Sequence, residues 1–240
     1  MTKQRAVIYI LMIILLLTLA GCIMNPPTLE ATPTVTLNPS LMDRSLLTGE
    51  PCPAPCWYGL ELGKTTKEQA LERVKTLSFI DPTHISETDY QYSWGEPQER
   101  DISVLVSLPC RQPQEDTCAK LEFVDNLLKA IYPIPNYSLS FGDVVAHLGP
   151  PDYFRLGPVY PDGPQQCLAV LIWKERSIWV SYFSGPNDKK ENQVKCGKQD
   201  GTGIRSSFPV EQIIYGLPEN AVFVRVPSPG DYPWTGFSEP

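Results

Sequence analysis

Residues 140–151 read SFGDVVAHLGPP. Ser140 stands where a helix N-cap belongs, with Asp143 three residues on. Val144, Val145 and Leu148 follow at the intervals of one buried helix stripe, and Leu139 precedes the cap as a staple onto Val144. Gly149-Pro150-Pro151 then stops the helix, because glycine tolerates the left-handed terminus and proline has no N–H to continue it.

The same pattern occurs upstream. With Ser140 laid on Thr66, Asp143 falls on Gln69, Val144 on Ala70, Val145 on Leu71 and Leu148 on Val74, an offset of 74 residues. The upstream copy predicts a helix over about 66–77, with Thr65 and Glu68 at capping-box spacing. Strand patterns follow both helices. Ile102, Val104, Val106 and Leu108 alternate with their neighbours. Lys120–Val124 and Leu127–Tyr132 flank Asp125-Asn126, a pair suited to a two-residue hairpin, with Phe123 placed opposite Leu128, Leu121 opposite Ala130 and Glu122 opposite Lys129. In the second copy, Leu168–Trp173 and Ile178–Phe183 form a hairpin with its tip at Glu175-Arg176. The fold class is therefore α+β: two tandem helix-plus-antiparallel-meander repeats, over 51–135 and 136–226, stapled by disulfides.

That second hairpin is apolar on both sides. One face carries Ala169, Leu171, Trp173, Ile178, Val180 and Tyr182, which helix two can cover. The other carries Leu168, Val170, Ile172, Trp179 and Phe183 around Ser181. A strand pair of this kind must be covered twice. Burial against the other repeat is the expectation, with recognition through Ile172, Trp179 and Phe183 as the functional reading. Tyr90, Tyr92 and Trp94 form a second aromatic stripe at strand spacing, for which both core packing and a carbohydrate or peptide platform stand open. Pro209–Tyr215 is ambiguous between strand and helix, Ala221–Val226 reads as a final strand, and 227–240 is an irregular tail with Trp234 and Phe237 as pins.

At the other end, Lys3 and Arg5 precede an apolar run from Ala6 to Leu17 that closes on Leu19-Ala20-Gly21-Cys22. This resembles the bacterial lipobox. The resemblance implies that residues 1–21 are a lipoprotein signal peptide and that Cys22 is lipidated and becomes the new N-terminus. It also places the chain outside the cytoplasm, extracellular or periplasmic, and makes the membrane a partner through the lipid. An uncleaved span is the competing reading of the apolar stretch. Residues 22–50 are rich in Pro, Thr, Ser and Asn and read as a disordered tether, so that folded structure is expected from about Pro51.

Loss of the signal leaves 18 of the 20 Lys and Arg against all 27 Asp and Glu. No basic stripe remains to displace counterions from phosphates, which argues against nucleic acid as a partner. Six cysteines remain besides Cys22, an even number that reads as a disulfide framework in an exported chain. Cys110 and Cys118 flank the loop between two strands, Cys167 and Cys196 tie a strand start to a polar loop, and Cys52 pairs with Cys56 by elimination.

The elements Gly63-x-Thr65-Thr66-x-x-Gln69-Ala70 and Ser140-x-x-Asp143-Val144-x-x-x-Leu148-Gly149-x-Pro151 are similar to a signature of the small envelope lipoproteins of the BamE (SmpA/OmlA) type. The same unit occurs duplicated in the beta-lactamase inhibitor protein family. The resemblance covers about a dozen residues per repeat and implies a binding or assembly role without naming a partner, which is left as an unknown protein or glycan.

Catalytic and metal patterns are absent from the sequence. There is no Gly-x-Ser-x-Gly elbow, no His-Glu-x-x-His and no Gly-rich phosphate loop. The only histidines are His84, in a turn, and His147, which reads as a partly buried residue of helix two. Asp200-Gly201-Thr202-Gly203 reads as a flexible turn. The expectation is thus a non-enzymatic module with no cofactor or metal, the alternative being an extracytoplasmic hydrolase of glycans or peptides using carboxylates that meet only in three dimensions.

Overall fold

The computed structural model describes residues 41–91, 102–111, 117–135, 137–158, 167–185, 203–216 and 231–238. All of them belong to one compact unit, Asn38–Pro240. The signal segment with Cys22, the polar loop with Cys196, the 221–226 strand, and Tyr92 and Trp94 of the aromatic stripe lie outside the described residues. No helix among the described residues is long and apolar enough to cross a membrane.

Among the described residues the unit is mostly antiparallel sheet with three short helices. Helix α1 spans Ser45–Thr48, α2 Lys67–Val74 and α3 Phe141–Leu148. The strands are β1 (Ser86–Gln91), β2 (Ile102–Leu108), β3 (Ala119–Val124), β4 (Leu127–Pro133), β5 (Tyr153–Pro158), β6 (Cys167–Trp173), β7 (Ile178–Ser184), β8 (Gln212–Gly216) and β9 (Tyr232–Pro233). They form a single sheet in the order β1-β2-β3-β4-β8-β7-β6-β5-β9. Strands β1 to β4 run as a meander after α2, and β5 to β8 run as another after α3; the two meet edge to edge where β4 pairs with β8. The second face of the β6–β7 hairpin is buried, and it packs with Ala130 and Tyr132 of the first meander across this edge junction.

Both eight-residue helices begin with a reciprocal capping box. Thr66 accepts from the Gln69 N–H while the Gln69 side chain accepts from the Thr66 N–H. Ser140 and Asp143 do the same for α3. The α2 cap is one residue later than the Thr65–Glu68 spacing predicts. The Thr65 hydroxyl is instead engaged by the Glu61 N–H, closing the preceding turn.

Each helix start is also stitched to the segment entering the fourth strand of its meander. Lys67 N–H donates to the Asn126 carbonyl (3.2 Å) and Leu128 N–H to that of Thr65 (2.9 Å). Around α3, Phe141 N–H donates to the Phe208 carbonyl (2.9 Å) and Val210 N–H to that of Leu139 (2.8 Å). The far end of α3 is held by the β6–β7 hairpin, where Trp173 Nε1 donates to the Gly149 carbonyl and an Arg176 guanidinium N–H to that of Leu148.

Both helices lie on one side of the sheet. Ala70 and Val74 of α2 and Phe141, Val144 and Leu148 of α3 pack with Val106, Leu121, Phe123, Ile131, Leu171, Val180 and Ile213 in the main core. The β6–β7 pairing has Trp173 opposite Ile178 and Leu168 opposite Phe183, the register that a Glu175-Arg176 tip predicts. At the other hairpin, Asp125 and Asn126 both have positive φ, as a two-residue turn of opposite-handed residues requires. Phe123 faces Leu128 as expected, but Glu122 faces Ala130 and Leu121 faces Ile131. Lys129 is an extra residue, a bulge that breaks the expected Glu122–Lys129 pair. Its consequence is that Ile131 turns into the main core while Ala130 and Tyr132 join the opposite face.

Folded structure begins before Pro51, earlier than composition suggests. Asp43, Ser45 and Leu46 are buried, and Leu46 belongs to the main core, so part of the 22–50 stretch is folded. Pro209–Tyr215 resolves as the approach to β8 and its first residues, not a helix. The tail pairs with β5 through β9, and its Trp234 ring meets both Phe154 and Phe237.

Cys52 is bonded to Cys56 and Cys110 to Cys118. Cys167 is also disulfide-bonded, to a partner outside the described residues.

Candidate functional site

The second face of the sheet carries an apolar cluster separate from the main core. Strand alternation puts Ile172, Trp179 and Phe183 together there, and they pack with Leu168, Val170, Ile214, Ala130 and Tyr132 in a separate apolar cluster. Every member of that cluster is a strand residue, drawn from both meanders. Trp94, the fourth residue expected at a recognition surface, lies outside the described residues.

Two polar atoms on this face have no hydrogen-bond partner: Trp179 Nε1 and Ser181 Oγ. They are the only such buried side-chain atoms among the described residues. Trp179 is 5 % and Ser181 5 % exposed, so bulk water does not solvate them. Two residues apart on one strand, they stand about 7 Å from each other on the same side. An indole N–H can only donate, and a hydroxyl can do both. Leaving such groups buried and unpaired costs about 1–3 kcal/mol each, a penalty that the fold carries on this face. Ser181 was visible in the sequence as the lone polar residue of an apolar face, but its lack of a partner was not.

Farther along the same face sits a buried acid. Glu122, 4 % exposed, accepts a hydrogen bond from the Tyr132 hydroxyl. Burial raises its carboxyl above the ordinary range, and hydrogen bonds from Tyr132 and Ser103 offset only part of that. Three strand spacings, about 14 Å, separate β3 from β7, so Glu122 is not a partner for Trp179. At the opposite margin, Arg155 is buried and forked onto Asp231, with Nε at 2.9 Å and Nη2 at 2.6 Å.

On the helix side the counterpart is Asp43, 7 % exposed. Its carboxylate accepts from the Ser45 N–H and hydroxyl, from Trp57 Nε1 at 2.7 Å and from the Tyr58 hydroxyl at 3.0 Å. Burial, reinforced by the Asp43 charge, pushes the Tyr58, Tyr137 and Tyr215 phenols well above their ordinary range. The two buried carboxyls, Asp43 and Glu122, thus lie on opposite sides of the sheet. They do not converge on one bond in the way a glycosidase pair must.

The nearest approach to a nucleophile set is Thr83, His84 and Asp81. His84 Nδ1 lies 2.9 Å from Thr83 Oγ1 and 2.8 Å from Asp81 Oδ2. Both contacts use the same ring nitrogen, whereas a proton relay needs the orienting acid on one nitrogen and the nucleophile on the other. The Asp81 carboxyl, drawn down to about 2 chiefly by the Thr83 hydroxyl and N–H, closes a surface turn. His147 is exposed on α3, not partly buried as the sequence suggests. Among the described residues no three His, Cys, Asp or Glu side chains group as a metal site.

No family model matches the chain, and no curated protein or solved structure matches it either.

Proposed function

We propose that the chain is a lipoprotein processed before Cys22, lipidated there, and held at a membrane facing outside the cytoplasm, where it acts as a non-enzymatic binding or envelope-assembly module. The lipobox motif supports the anchor. Bonded cysteines in three places support an oxidising compartment.

The module is read as two copies of one helix-then-meander unit. Supporting this are the two capping boxes 74 residues apart and the mirror-like strand order on either side of the β4–β8 junction. The paired stitches at Lys67/Asn126 and Phe141/Phe208, and at Leu128/Thr65 and Val210/Leu139, recur at matching places. Fusing two such units edge to edge gives one continuous sheet with no exposed edge at the junction.

The observation that carries the binding reading is the pair of unpartnered atoms, Trp179 Nε1 and Ser181 Oγ, on that face. Both atoms are covered by the chain itself, so a partner engages them where this face opens, with hydrogen-bond acceptors carried on an apolar body that suits Val170, Ile172, Ile214 and Phe183. The test is capture of the full lipoprotein, crosslinked in its own membranes, in parallel with Trp179→Phe and Ser181→Ala. A partner enriched with the native chain and lost with both variants supports this face; equal recovery with all three removes it. Radioactive palmitate that still labels Cys22→Ser removes the anchor.

A further inference from the structure

A second feature lies on the helix side, where the chain enters its fold. Met42, Arg44, Ser45, Thr48, Glu50, Pro51, Tyr58 and Arg73 line an open groove of about 670 Å³. Of these, Arg44 and Arg73 are the cations and Glu50 the one acid, a net positive lining in a chain whose net charge is −7. Neither arginine forms an ion pair among the described residues, although four such pairs occur elsewhere in them.

Arg73 is set in place. Its Nε donates to the Tyr58 carbonyl at 2.7 Å, which fixes the guanidinium and leaves its two terminal amino groups for another acceptor. Arg44 is exposed beside Asp43, whose carboxylate is already taken up by Ser45, Trp57 and Tyr58. Two guanidinium groups facing one groove match an anion with several oxygens, and the oxygens of a phosphate, like those of a carboxylate, pair with arginine forks through parallel N–H···O bonds.

The position of the groove says where that anion comes from. Met42 follows Cys22 by 20 residues. Twenty residues of chain reach at most roughly 70 Å. The groove therefore belongs to the part of the folded unit closest along the chain to the anchor.

We propose that this groove docks the phosphate of an anionic glycerophospholipid in the membrane that holds the chain, with Arg44 and Arg73 as its ligands. The proposal rests on the lipid-anchor reading given above. It makes the anchor and the groove a two-point attachment, which orients the sheet relative to the bilayer, where a single tether would leave it free to turn.

The experiment uses the full lipoprotein in nanodiscs of phosphatidylcholine alone or with one third phosphatidylglycerol, read by hydrogen exchange over residues 42–58. Protection appears with phosphatidylglycerol only, and falls about fivefold in Arg44→Gln and about thirtyfold in the double variant with Arg73→Gln, each surface cation counting for about that factor. Because the Arg44 side chain holds nothing within the fold, the single variant folds and keeps the test decisive. Equal protection in both discs with Cys22 acylated by mass spectrometry overturns the groove and leaves the anchor standing. Protection restored in phosphatidylcholine discs by inorganic phosphate overturns the lipid in favour of a soluble anion. A Cys22 without acyl mass overturns both readings.

Discussion

The Asp43 carboxylate accepts the Trp57 indole N–H at 2.7 Å, across 14 residues of chain, with the indole fully buried. That bond, with those from Ser45 and Tyr58, closes the entering segment onto the main core. It also places Trp57 edge-on against Tyr58 and Phe79.

Replacing Asp43 by Ala leaves the indole N–H buried with nothing to receive it. The variant is expected to lose about 2–3 kcal/mol in chemical denaturation. Limited proteolysis should cut it near residues 41–50, where the native chain resists. Unchanged stability would mean that the segment is held by Leu46 packing alone.

The opposite sign is expected at Trp179. Trp179→Phe deletes a donor that is buried without a partner, and Ser181→Ala deletes a hydroxyl in the same condition. Each isolated variant should therefore be as stable as the native protein or gain up to about 1 kcal/mol, read as an upward shift of Tm. A substitution that stabilises the free chain and weakens partner capture separates a recognition residue from a packing residue. A clear loss of stability would show that these groups are satisfied in solution by the chain itself.

Glu122 sets a pH dependence. Burial raises its folded-state pKa above the ordinary value of 4.5, so the folded protein favours the protonated acid. Its contribution is complete below about pH 4.5 and is lost as pH rises through the folded value, because the unfolded chain ionises first. Glu122→Gln keeps an acceptor for the Tyr132 hydroxyl and cannot ionise. Its stability relative to the native chain should match near pH 4 and climb toward pH 7. A difference that is flat with pH would contradict the assignment of burial as the dominant influence.

The two capping boxes allow a test of equivalence. Thr66→Ala and Ser140→Ala each remove the acceptor for the N–H three residues on. Each is expected to cost about 1 kcal/mol in one shared unfolding transition, since both helices pack on one sheet. Two separate transitions, with each variant moving only one, would argue that the meanders unfold as independent bodies.

How much of this was legible follows from the range of the forces involved. The α3 helix, its Ser140 cap, the Asp125-Asn126 turn and the β6–β7 register were all readable, because each is decided by residues within about one element's length. The α2 cap was misplaced by one residue, since Thr65 is drawn into the Glu61 turn and Thr66 is free to cap. The Lys129 bulge was missed because simple alternation cannot show that an extra residue lets Ile131 face the core and Tyr132 reach Glu122.

By itself, then, the sequence determined the local elements, the apolar character of both faces of the β6–β7 hairpin, and the pairing of Cys52 with Cys56 and of Cys110 with Cys118. These depend on period, capping and composition, which act between near neighbours. Only the tertiary structure decided that β4 and β8 join the meanders at their edges, that both helices fall on one side, that Asp43 closes the entry, and that Trp179 and Ser181 are buried without partners. Those outcomes depend on which distant groups come within hydrogen-bond reach and which side of the sheet they occupy, and no local pattern encodes that.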